Sequence, residues 1–318
     1  MNNIKKIGLT ALAGSLALVN VAQAGELSVS GVAKATYVNE SSNDVTGQPF
    51  GFDQTVQFAG SADSDMGTVS TYVNYNGSGV SSSSFTIDMG DNGKFAIDNG
   101  TGAFGVGTIK DMTPRASGAE QIWDDTDNDA YFVGAATAGA LGYSNTIAGW
   151  NLTLDYAKNG GGFSGDDGNT DAGAGSDRSF AISGAIADGF TVGYGHGDIN
   201  ESAGKDVNHN TAFAKYAMGP VTLGTQMSEI TASGNDSLST QYAIAINVNE
   251  NMSVSYGYRT TELGDGTGGL SDPEDNGVAV SYTSGNMTIG AFHNKADNVG
   301  GSASAEDDVS QITLSFAF

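Results

Sequence analysis

The chain has 318 residues with 36 acidic against 12 basic, a formal charge of −24, and no Cys. Such a balance excludes nucleic acid as a partner, because phosphate binding needs Lys and Arg gathered on one face. Without Cys there is no disulfide framework, no thiol catalysis and no zinc–thiolate site, and the composition fits a protein that works outside the cytoplasm.

The N-terminus carries Lys5 and Lys6, an apolar run from Ile7 to Val21, and the small-x-small sequence Ala22-Gln23-Ala24 before Gly25. Residues 1–24 therefore read as a cleaved secretory signal, leaving 25–318 as the mature domain. The alternative, an anchor helix, needs a longer run without Ser15 and Asn20. Beyond residue 24 no apolar stretch of about 18 residues occurs, so a helical membrane protein is excluded.

The mature chain is instead dominated by alternation. Leu27 and Val29 alternate with Ser28 and Ser30, Phe85, Ile87 and Met89 with Thr86 and Asp88, and Trp150, Leu152, Leu154 and Tyr156 with Asn151, Thr153 and Asp155. Successive side chains of a strand point to opposite faces, so each run has one greasy and one wet face. Inward Asp would be costly in a sandwich core but is acceptable in a water-filled lumen. In chain order the runs are 26–38, 52–62, 67–77, 83–90, 93–98, 130–136, 139–147, 149–158, 178–187, 189–197, 209–218, 220–230, 237–248, 251–261, 276–283, 286–295 and 309–318. Barrels of a single bacterial chain close with an even strand number, so one run is surplus. The Ala-rich 130–136 segment is the candidate, as the end of the preceding loop.

Tight-turn signals (Asp91-Asn92-Gly93, Asp188-Gly189, Gly219-Pro220, Asn249-Glu250-Asn251, Ser284-Gly285-Asn286) interchange with long Gly- and Asp-rich tracts at Asn39 to Gly51, Asn159 to Asp177, Asp198 to Asn208, Thr261 to Asn276 and Ala296 to Asp308. Tight turns on one rim and long loops on the other describe an outer-membrane barrel. The last run places Ile312, Leu314, Phe316 and Phe318 on one face and ends there.

These features resemble the Gram-negative general diffusion porins. Phe85 to Ile97 is similar to that family's hairpin before its constriction loop, although the usual Pro-Glu-Phe-Gly-Gly tract is reduced to Ala103-Phe104-Gly105. The resemblance implies an all-β transmembrane antiparallel barrel of about 16 strands, with a third long loop folded inward. It also implies a homotrimer in the outer membrane, in contact with lipid, inserted by the assembly machinery with Phe318 as the C-terminal signal. The matching loop spans about 99–129 and carries Glu120, Asp124, Asp125, Asp127 and Asp129 against only Lys110 and Arg115. By the resemblance these carboxylates face basic residues on the wall. Strand parity offers Lys34, Lys94, Lys215 and Arg259 for that wall; the alternative places each as a rim charge in solvent.

Other chemistry is set aside. The run Asp124 to Asp129 lacks the Gly and the twelfth-position acid of a calcium loop, leaving only adventitious Ca²⁺ and no expected cofactor or metal site. His196, His209 and His293 share no ligand spacing, and no Gly-x-Ser-x-Gly elbow occurs, so no enzyme is expected. The expected function is passive diffusion of small hydrophilic solutes and ions, with cations favoured by the acidic balance. A substrate-selective barrel channel and a secreted or surface-layer adhesive β protein are the alternatives.

Overall fold

The computed structural model describes residues 25–41, 47–99, 103–116, 126, 140–158, 176–202, 205–232, 236–264 and 269–318. Among these the alternating runs become sixteen strands: β1 (Glu26–Glu40), β2 (Phe50–Ser64), β3 (Gly67–Asn76), β4 (Gly79–Asp88), β5 (Lys94–Asn99), β6 (Ala140–Ile147), β7 (Trp150–Lys158), β8 (Ser176–Ala187), β9 (Phe190–Ser202), β10 (Lys205–Met218), β11 (Val221–Thr231), β12 (Ser237–Asn247), β13 (Met252–Leu263), β14 (Glu274–Ser284), β15 (Met287–Asp297) and β16 (Glu306–Ala317). The 130–136 run and the signal segment lie outside the described residues.

Every strand pairs antiparallel with its neighbour in sequence, and β1 pairs with β16, so the sheet closes into a barrel. Closure removes the free edges that hydrocarbon could not solvate. At the seam Val32 lies between Thr55 of β2 and Ala317 of β16. Phe318 completes the join, donating its N–H to the Gly31 carbonyl and accepting from the Gly31 N–H, both at 2.9 Å. Its ring lies over Gly31, where an added Cβ would come within 2.6 Å of it.

The apolar members of each run face outward. Val29, Phe58, Tyr75, Phe85, Ile97, Leu154, Tyr194, Tyr256, Ile289 and Leu314 are all exposed on that face. Aromatic pairs on adjacent strands, such as Tyr37 with Phe50 at 5.3 Å and Phe190 with Tyr216 at 6.1 Å between centroids, contribute cross-strand packing. One rim holds the start of β1, the end of β16 and the short connections, among them 65–66, 148–149, 188–189, 219–220 and 285–286. The 148–149 turn takes positive φ at both positions, 52° at Ala148 and 84° at Gly149. That is the hairpin geometry matched to strand twist, although Ala is an unusual choice for it.

The opposite rim corrects one expectation. The tract 198–208 is not a long loop, because β9 runs on to Ser202 and β10 begins at Lys205. Above the membrane both faces of a strand are wet, so polar residues are no barrier to ladder pairing. Ile199 and Val207, paired across the two strands and both buried, are the apolar signal hidden in that tract.

Candidate functional site

The inner face is set by parity, opposite the exposed apolar positions. On β1–β4 it presents Ser28, Ser30, Lys34, Asp53, Gln57, Ser70, Tyr72, Asn74, Ser82 and Ser84, none of them buried. On β8–β16 many inner positions are closed off. Ser179, Thr211, Gln226, Gln241, Arg259, Asp275 and Asn294 are all buried. The interior is therefore asymmetric, with an open polar wall on one side and a covered one on the other.

Residues 103–116 supply part of the cover. A short 3-10 turn over Gly105–Ile109 places Val106 and Ile109 against the inner wall, both almost completely buried. The wall is hollowed to receive them. Gly193, Gly195 and Gly197 fall at alternate positions of β9; a Cβ at Gly195 would stand 3.0 Å from both Val106 and Ile109 and one at Gly197 3.3 Å from Val106, whereas Gly193 makes room for the Phe213 ring. Phe104 lies directly over Gly142, and Pro114 over Gly224, in contacts that leave no room for a side chain. Gly105 itself takes φ +62° with Ser179 and Asp155 pressed against it, which only Gly tolerates without strain.

Hydrogen bonds fix the seat. The Val106 N–H donates to Ser179 Oγ at 2.8 Å, and that hydroxyl donates to Asp155 Oδ1 at 2.7 Å. Gln226, fully buried, accepts from the Met112 N–H at 2.7 Å and donates to the Ile109 and Lys110 carbonyls, each at 2.8 Å. A carboxamide is suited to this, because it donates and accepts at once. Further along, the Thr126 hydroxyl donates to Asp275 Oδ1 at 3.4 Å, so that residue touches β14.

The charged candidates occupy different settings. Lys34 is on the inner face, opposite Asp53 in register. Lys94 pairs with Asp88 at 3.0 Å on the inner face near the tight-turn rim. Lys215 points inward beside Pro114, with its ammonium 5.8 Å from the Phe213 ring centroid. Arg259 is also on the inner face, but its Nε and Nη2 both donate to Asp275 Oδ2, at 2.7 and 2.6 Å, and both side chains have zero exposure. Its charge is matched within the wall and is not presented to water. Glu120, Asp124, Asp125, Asp127 and Asp129 lie outside the described residues. Within the seated segment, Lys110 Nζ stands 3.7 Å from Asp111 Oδ2. Burial holds the Asp111 carboxyl above the ordinary carboxylate range, opposed by the charges of Lys110 and Arg115.

Sequence reasoning missed the seat. Gly193, Gly195 and Gly197 alternate with Val192, Tyr194 and His196, and this period-2 glycine pattern was the available signal. Gln226 gave none, since an inward Gln looks like any other lumen residue.

A closed sixteen-stranded barrel with an apolar exterior, a polar interior and a segment seated inside defines a channel of the outer-membrane type. The family model for Gram-negative porins matches residues 8–263, and the chain belongs to that family. Comparison with curated proteins finds no match. Among solved structures, a porin refined at 1.8 Å shares 13% identity at a TM-score of 0.67, over 92% of this chain and all of that one. OmpT of Vibrio cholerae shares 13% identity at a TM-score of 0.63, over 95% of this chain and all of that one. Salmonella typhi OmpF, solved with daunomycin, shares 16% at 0.60, over 93% and 98%. The protein is thus an outer-membrane porin, a channel and not a soluble β protein.

Proposed function

We propose that this porin passes small hydrophilic solutes and ions by passive diffusion, prefers cations, and is narrowed by the segment 99–129. The observation that carries the reading is the asymmetry of the interior. The water path runs along the open Ser-, Asn- and Gln-rich wall of β1–β4, and the seated residues 103–116 oppose it from the covered side. No chemistry is needed, since alternate polar side chains keep the lumen wet and the narrowest point sets the size limit. Assembly as a homotrimer is part of the reading, supported by the trimer form in which Vibrio cholerae OmpT is described.

Recording current across a planar bilayer under a KCl gradient tests it. The expected record has discrete steps and a reversal potential on the cation side. Replacing Glu120 and Asp124 with Gln and Asn is expected to shrink that potential. Anion preference would transfer control to Lys34 and Lys94, and an absence of steps from a folded, heat-modifiable barrel would overturn the diffusion reading.

A further inference from the structure

The outer surface carries a feature that conduction does not use. A groove of about 520 Å³ crosses β5–β9 on the lipid-facing side. Phe95, Leu141, Tyr143, Leu154, Tyr156 and Phe180 supply its apolar walls. Arg178, His196 and Asp198 close one end. That end lies toward the rim of long connections, the extracellular side of such barrels.

The closing residues form a connected polar chain. Arg178 Nε donates to Asp198 Oδ2 at 2.7 Å, and His196 Nε2 stands 3.4 Å from Asp198 Oδ1. His196 Nδ1 meets Asn210 Oδ1 at 2.9 Å, and Asn210 donates to Glu229 at 3.2 Å. Charged groups facing hydrocarbon are costly at the bilayer centre and nearly free at its interface, so this chain marks the headgroup level of the outer leaflet.

Charge around that level is uneven. Outward positions at the upper ends of β11 and β13–β16 are acidic: Glu229, Glu262, Glu274, Asp297, Glu306 and Asp308. Lys295 among them is tied to Asp297 at 2.7 Å. Over β7–β9, at the upper end of the groove, the outward residues include two cations, Lys158 and Arg178, against one carboxylate, Asp198, with His196 beside them. Lys158 is exposed, and the Arg178 side chain remains 72% exposed despite its bond to Asp198. On a chain of net charge −24, a sector where cations outnumber carboxylates, placed over an apolar groove, is complementary to an anionic amphiphile.

We propose that this groove binds one phosphate-bearing anionic lipid of the surrounding leaflet, its acyl chain between Leu141, Leu154 and Phe180 and its phosphate against Lys158 and Arg178. Native mass spectrometry of the detergent-purified protein, titrated with phosphatidylglycerol or with phosphatidylcholine of the same chains, tests this. The expected result is preferential retention of phosphatidylglycerol, lowered about fivefold by each of Lys158→Gln and Arg178→Gln. Lys295→Gln is expected to leave retention unchanged. Leu154→Trp, which fills the groove, is expected to lower retention with both basic groups in place, and heat-modifiability verifies that each variant is folded. Equal retention of the two lipids, or retention indifferent to the Lys158 and Arg178 variants, would overturn the proposal. So would copy-to-copy disulfide cross-linking of a Phe180→Cys variant in membranes, which would make the groove an interface between protomers.

Discussion

At the scale of single residues, the interior of this barrel is organised by what is missing from it. Gly195 is buried because Val106 and Ile109 occupy the volume a side chain would take. Gly195→Leu is expected to force that segment off the wall, at a cost of about 1–3 kcal/mol for overpacking. Single-channel conductance should rise, because the displaced segment no longer has its seat. If conductance and melting both stay at wild-type values, the seat at β9 does not hold the segment. Arg259 and Asp275 obey a different logic. Two fully buried charges lose their hydration, and their mutual attraction repays this only while both are present. Asp275→Asn is expected to destabilise the barrel by about 3–5 kcal/mol, read as a lower heat-modification midpoint on gels. The double variant Arg259→Met, Asp275→Leu should recover much of that loss.

At the scale of elements, strands and inner segment are held by different forces and should fail separately. Strands are locked into a continuous ladder, whereas residues 103–116 depend on a few side-chain contacts from Gln226, Ser179 and Thr153. Gln226→Ala leaves the Met112 N–H and two carbonyls of the segment without their partner. Local opening should then become easier by about 1–3 kcal/mol, accelerating amide exchange over 105–113 by tenfold or more while the barrel midpoint barely moves. This division also explains what the sequence could reveal. Strands were legible because lipid outside and water inside impose a strict period of two; Trp150, Leu152, Leu154 and Tyr156 show their outward face without any structure. The seat was less legible because Gly195 and Gly197 are defined by Val106 and Ile109, which pack there from far along the chain. The ends of β9 and β10 were illegible for a third reason: above the bilayer both faces meet water, and the alternation that marks a strand fades although its pairing continues.

At the scale of the whole molecule, the question is which part of a net charge of −24 acts on a passing ion. Carboxylates on the upper rim, such as Glu274, Glu306 and Asp308, are screened within about 8 Å at physiological salt, so most of the net charge is invisible at the narrowest point. Groups on the seated segment act at close range and in less water. Asp111 is one of them, and burial disfavours its charged form and so raises its pKa. On acidification it takes up its proton at a higher pH than an ordinary aspartate does. The lumen then loses a negative charge beside Lys110 and Arg115. Cation preference is therefore expected to fall as pH drops, starting above the ordinary carboxylate range, and the fall should persist in about 1 M salt, where the Debye length is near 3 Å. Asp111→Asn should lower the preference at neutral pH and leave only a later decline at more acidic pH, from the remaining carboxylates. Reversal potentials measured across a pH series at low and high KCl separate the two sources. A decline that vanishes in high salt and is unchanged by Asp111→Asn would assign selectivity to the rim, and the seated segment would then set the pore's size without setting its charge.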